Sequence, residues 1–247
     1  MIIQDFEERI EGFEEYLSQK LEEISTLKSD GAVLFRKILY VSFLDSLSAC
    51  IYPNSSNKSR FLSLVDRFSH WKDRDRVCML HVARFCSLNS EPDLQKIREK
   101  ANETLREWQL DQDGTGVIEA SCNPKFDEVR CLWEKSNKES GLPYQLADFK
   151  LINLLYQLRN SLVHQFQSQG AELGPLLPKE PSYQLFKTVS AEEELVPSHF
   201  ELVYPSSFLH DLCKTVFSNV IEYLKEGNIN PFPNYYAGDF WLKELNK

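Results

Sequence analysis

The chain has 247 residues, with 28 Lys+Arg against 37 Asp+Glu and a formal net charge of −9. Hydrophobic residues make up 42% and aromatics 12%, with 9 Gly and 11 Pro, which excludes collagen-like, low-complexity and wholly disordered classes. The acidity argues against a nonspecific nucleic-acid coat, although local basic patches remain open.

The length is ample for one domain over 1–247 with a real core. No run of ~18 uncharged apolar residues occurs, so no membrane contact is expected. The acidic, helically patterned start differs from a secretory or transit peptide, and a cytoplasmic location is the expectation. The six cysteines, Cys50, Cys78, Cys86, Cys122, Cys131 and Cys213, form no CxxC pair and read as free buried thiols rather than a disulfide framework or a metal site. No cofactor is expected.

Over the first 28 residues, Ile3, Phe6, Ile10, Phe13, Leu17, Leu21 and Ile24 recur at steps of three and four, which predicts one helical stripe. Residues 1–30 hold nine acids and three bases, so the other face is negative. Such a helix docks on the core, or serves a partner or a dimer. Asp30-Gly31 breaks it, and an apolar helix follows from about Ala32 to Ile51, with Asp45 as an acid inside the apolar run. A buried carboxylate is costly unless paired, so Asp45 should face a cleft or meet a cation.

Helices are expected near 58–70 and 74–88. Across 60–84, Arg60, Arg67, Lys72, Arg74, Arg76 and Arg84 face Asp66, Asp73 and Asp75, with His70, Trp71 and His81 interleaved. This pattern suits a phosphate-tracking face with a stacking aromatic, or a solvated surface of local ion pairs. Further helices are expected over 92–108, 126–138, 145–167 and 206–225. Between Ser168 and Pro205 stand two Gly and five Pro, and YQLFKTV and HFELVY alternate as strands do, which predicts a loop insertion with a β-hairpin. The aromatic-rich tail, 227–247, should pack back onto the body.

Residues 111–119, DQDGTGVIE, look like the start of a calcium-binding EF-hand loop, with Asp111, Asp113 and Thr115 in ligand positions. The twelfth place needs a bidentate Glu, and Cys122 stands there; Pro124 would interrupt the exiting helix. The segment is therefore read as an interhelical turn.

The segment LINLLYQLRNSLVHQF, residues 151–166, is the most informative. Leu151, Leu155, Leu158 and Leu162 form the core stripe. Asn153, Gln157, Asn160, Ser161, His164 and Ser168 fall elsewhere, and Arg159 is the only Lys, Arg, Asp or Glu from Leu151 through Ala171. A polar, nearly uncharged face suits a helix that meets a partner or lines a cleft. Asn160 and His164 stand ~40° apart around the helix, and Arg159 stands ~140° from His164, flanking that face. Histidine accepts or donates a proton near neutral pH, and arginine offers phosphate oxygens a planar fork of donors, a combination suited to a phosphodiester. The same residues also suit hydrogen bonds across a dimer interface or capping of a neighbouring helix.

The run Arg159-Asn160-Ser161-Leu162-Val163-His164 resembles the R-x4-6-H signature of the HEPN superfamily, and FRKILYVSFLDSLSACIY resembles that family's early helix, with Asp45 at its acidic position. The resemblance covers about 31–88 and 145–226. It implies an all-α, HEPN-like helical bundle, here with an extra N-terminal helix and a small β-hairpin insertion. It also implies a metal-independent endoribonuclease of defence, phage-defence or toxin–antitoxin type. Such an enzyme acts on RNA as a homodimer with a composite site and leaves 2′,3′-cyclic phosphate ends, with an inhibitory or regulatory protein partner possible in such systems. By the same resemblance Arg159 holds the scissile phosphate, His164 serves the 2′-hydroxyl or the leaving group, Asn160 orients the site, and Asp45 positions Arg159 or His164. Phe166 stands where several toxin-type members carry Tyr. Other members of the family are noncatalytic modules that bind nucleotides or partners.

Overall fold

In the computed structural model, residues 6–28, 31–110, 116–133, 142–170, 172, 178–186 and 199–232 are described. Their order is α1 (Phe6–Ser25), α2 (Ala32–Ile51), α3 (Asn57–Phe68), α4 (Met79–Leu88), α5 (Gln95–Leu110), β1 (Val117–Glu119), α6 (Phe126–Val129), α7 (Leu151–Gln165), β2 (Ser182–Phe186), β3 (His199–Val203) and α8 (Ser206–Gly227). The chain is mostly helical with one small antiparallel sheet. It divides into two compact units, Met1–Trp71 with Leu209–Lys247, and Lys72–Phe208.

In the first unit, α1 buries Ile10, Phe13, Leu17, Leu21 and Ile24, as its 3–4 spacing predicts. Each such side chain contributes about 1.5–3 kcal/mol when taken from water. Phe6 at the first turn stays 42% exposed, and Ile3 lies outside the described residues. The stripe docks: Phe13 meets the Phe232 ring edge-on at 6.1 Å, and Lys225 of α8 pairs with Glu14 at 2.6 Å. The Phe232 contact also brings the first part of the aromatic tail back onto this unit; 233–247 lie outside the described residues.

Gly31 joins α1 to α2 at φ +83°, a left-handed conformation that glycine adopts without steric cost. The apolar run of α2 buries residues on most sides, from Tyr40, Val41 and Leu44 to Leu47 and Cys50. Ser56 caps α3 by accepting the Ser59 N–H at 3.3 Å, and Phe61, Leu64, Val65 and Phe68 bury its apolar side. Arg67 lies 4.4 Å from the Tyr223 ring centre, and Asn219 donates to the Phe68 carbonyl at 2.7 Å, so α8 holds α3 through a cation–π contact and a hydrogen bond.

The second unit centres on a cluster built by Val77, Met79, Val82, Phe85, Ile97, Ala101 and Phe149, among others. The helix expected from 74 starts only at Met79. Residues 72–75 form a turn and Arg76 and Val77 form β-bridges, because the backbone groups of 74–78 pair with other segments. Val77 N–H donates to the Pro124 carbonyl and Cys78 N–H to the Phe149 carbonyl, while Arg74 and Arg76 accept from Ile152 and Leu151. The same pairing divides the helix expected over 145–167. Leu146–Phe149 form one 3-10 turn, Lys150 is extended at ψ 143°, and α7 begins at Leu151. The helix expected over 126–138 is α6 followed by a single turn, Arg130–Leu132; 134–141 lie outside the described residues.

The expected hairpin is present as β2 and β3, registered Ser182 to Val203 through Phe186 to His199. The sequence reading missed its third strand. β1 pairs antiparallel with β2, Ile118 opposite Tyr183, where an interhelical turn was expected. Three residues are too few to show a period, and only pairing with β2 makes them a strand. Asp111, Asp113 and Thr115 of the calcium-like run lie outside the described residues; Glu119 ends β1 and accepts the Ser121 hydroxyl at 3.0 Å.

Candidate functional site

The four leucines of the predicted stripe on α7, Leu151, Leu155, Leu158 and Leu162, are 0–2% exposed. Its C-terminus stops at Phe166, in left-handed conformation at φ 53°, and the Ser161 carbonyl accepts both the Phe166 and Gln167 N–H groups. His164 therefore sits in the last turn, exposed to solvent. Arg159 is buried on the same helix, 8% exposed. Its guanidinium nevertheless spans the angular gap: Nη1 donates to Asn160 Oδ1 at 3.0 Å and lies 3.3 Å from His164 Nε2. Helical geometry placed Arg159 beside this face, and side-chain length brings it onto the face. A guanidinium carries donors only, so in this hydrogen bond His164 Nε2 is the acceptor. Ser161, expected on the polar side, is buried at 7%.

Asp45 is half-buried midway along α2 in the first unit, and Arg159, Asn160 and His164 lie on α7 of the second. The basic segment 60–84 is divided between the two units at Trp71 and Lys72. Arg67 stacks on Tyr223, Trp71 is 6% exposed and so offers no stacking platform, Arg76 pairs with Asp73, and Asp75 pairs with Lys150 at 2.8 Å. Arg84 and His81 alone of this segment line a cavity of about 790 Å³ in the second unit. Leu154, Gln157 and Leu158 of α7 form another wall, to which the uncharged polar face of that helix contributes Gln157, and Ser168–Gly170 follow. His164 is not part of that lining.

At the N-terminus of α4 the structure gathers a second cluster that the sequence reading did not single out. Cys78 precedes the helix, fully buried, with Sγ 2.9 Å from His81 Nδ1. Tyr183 of β2 donates its hydroxyl to the same sulfur at 3.2 Å and accepts from Asn123 Nδ2 at 2.6 Å. Asn123 completes the array by accepting the Met79 N–H at 3.0 Å. Burial by itself would push the Cys78 thiol up, but the charge and hydrogen bond of His81, with the Tyr183 hydroxyl, outweigh it and hold the thiol below its ordinary range. The neighbouring sulfur in turn raises His81 against the opposing effect of burial. The available signal was Cys78-Met79-Leu80-His81, a thiol and an imidazole one helical turn apart, and the adjoining basic residues obscured it.

All six cysteines are free, but Cys122 and Cys131 are exposed where burial was expected, because both fall in short surface turns. Among the described residues, no cluster of three His, Cys, Asp or Glu could hold a metal ion, and no helix is long and apolar enough to cross a membrane. In the comparisons with known proteins, no family model matches the chain, and neither a curated protein nor a solved structure matches it.

Proposed function

We propose that the protein is a HEPN-like, metal-independent endoribonuclease whose site is Arg159, Asn160 and His164. The observation that supports this reading is the convergence of Arg159 Nη1 on Asn160 Oδ1 and His164 Nε2, at 3.0 and 3.3 Å, on a solvent-facing helix end. A phosphate arriving here competes for the guanidinium, whose fork suits two of its oxygens. Arg159 then leaves Nε2 bare, and the imidazole takes the 2′-hydroxyl proton. The 2′-oxygen attacks phosphorus, the P–O5′ bond breaks, and the products are a 2′,3′-cyclic phosphate and a 5′-hydroxyl. The 5′-oxygen receives its proton from His164 of a second copy in a homodimer, or from water. Asn160 holds Arg159 in place. Asp45 takes the positioning role toward Arg159 or His164 that the resemblance implies.

The test is incubation of mixed RNA in EDTA with wild-type and His164→Ala protein, followed by analysis of the new 3′ ends. Cyclic phosphate produced by the wild type alone supports the reading. A requirement for Mg²⁺, or equal cleavage by His164→Ala, overturns it. The position of Arg84 and His81 on a cavity whose lining omits His164 favours a second reading, a noncatalytic binding module. That reading expects saturable ligand binding with no RNA turnover.

A further inference from the structure

We propose that the cavity of the second unit binds a small phosphate monoester with an apolar or aromatic body, its phosphate held between His81 and Arg84 of α4. The two side chains stand three residues apart, one helical turn, and both line the cavity. Among the described residues the Arg84 guanidinium has no carboxylate partner, and His81 uses Nδ1 on Cys78, which leaves Nε2 for a ligand. A guanidinium fork and an imidazolium N–H are the donors that phosphate oxygens take best. Leu154 and Leu158 of α7 with Phe200 and Leu202 of β3 supply apolar wall, and about 790 Å³ lies within the range of small-molecule sites. Glu201 also lines the cavity, and its carboxylate is engaged by His199 at 3.1 Å.

The 2.9 Å contact with Cys78 favours the charged form of His81. Cys78 lies at the amino end of α4, where helix N–H groups favour a thiolate, and the Tyr183 hydroxyl and His81 itself complete its surroundings. Being fully buried, Cys78 meets no ligand; it is a positioning residue, the internal counter-ion of His81. The other titratable groups around His81 are Arg84 on α4, Tyr183 on β2, His199 and Glu201 on β3, and Tyr204, whose buried hydroxyl donates to the Leu151 carbonyl. The α7 residues and Ser168–Gly170 add only uncharged lining.

Calorimetry of the full chain with nucleoside 5′-monophosphates, an alkyl phosphate and the matching nucleosides tests the assignment. At least one of the two phosphate classes is expected to bind saturably, which of them identifies the body, and the nucleosides bind at least tenfold more weakly. Arg84→Gln, at an exposed position, is expected to weaken the phosphate at least tenfold. Failure of both phosphates to bind, or binding unchanged in Arg84→Gln, overturns the proposal. Cys78→Ser keeps the size but not the ionisation. Relative to wild type it is expected to lose at least tenfold at pH 8 and to recover at pH 5.5, where His81 takes a proton without help. An equal loss at both pH values overturns the counter-ion role. Binding is read without RNA cleavage, so failure of the nuclease reading leaves this outcome untouched.

Discussion

Two histidines of the second unit meet opposite neighbours. His164, in the last turn of α7, faces the Arg159 guanidinium at 3.3 Å, while His81, in the first turn of α4, faces the Cys78 sulfur at 2.9 Å. The guanidinium can only donate, so it selects an imidazole with a bare Nε2, the form able to take a proton. Contact with the imidazole holds the Cys78 thiol below its ordinary range, and the sulfur in turn raises His81 toward the imidazolium, the form able to hold another anion. In the proposed readings the same side chain serves proton transfer at one place and anion binding at the other, with partners five and three residues away in sequence.

The sharpest way to break this contrast is at Arg159. Arg159→Ala is expected to lower single-turnover RNA cleavage in EDTA by about 10³, and Arg159→Lys, which keeps the charge without the fork, by about 10². Unchanged circular dichroism would locate the loss in the site, and full activity in the lysine variant would reduce the role of Arg159 to charge alone.

Tyr183→Phe probes the other side. It removes the hydroxyl that donates to Cys78 and accepts from Asn123, so urea unfolding should show a cost of about 1–3 kcal/mol. The titration midpoint of His81, followed by NMR, should fall toward ~6.5 as its counter-ion weakens. A midpoint that stays put would mean that the thiol does not depend on Tyr183.

A smaller effect is expected at the wall between α7 and β3. Gly170 has φ +76°, and a Cβ there would run into the Leu202 carbonyl oxygen. Gly170→Ala should therefore cost about 1–2 kcal/mol in the same assay and weaken phosphate binding with it. The smallest change is expected at Phe166, left-handed and 64% exposed. Phe166→Asn should stabilise the chain by about 0.5–1 kcal/mol, since Asn tolerates that conformation, and should leave His81 unaffected.

The stripes of α1 and α7 were legible because burial at 3–4 spacing leaves a periodic trace, and the hairpin because strand alternation does the same. The Arg159–His164 pair was legible as a motif, but its contact was not. Backbone angle set the two ~140° apart, and the guanidinium reaches His164 through its long side chain. Residues 74–78 read as helix because their composition permits one; the carbonyls of Pro124 and Phe149 decided otherwise.

By itself the sequence determined which faces are apolar, where the chain breaks at Gly31, and that His164 and Asn160 share a side of one helix. Those properties depend on residues a few positions apart. Only the tertiary structure decided that Tyr183 and Asn123 close around Cys78, that β1 is a strand, and that Arg84 and His81 share a cavity with α7. Each of these joins segments 44 to 105 residues apart, and no local periodicity encodes a pairing at that distance.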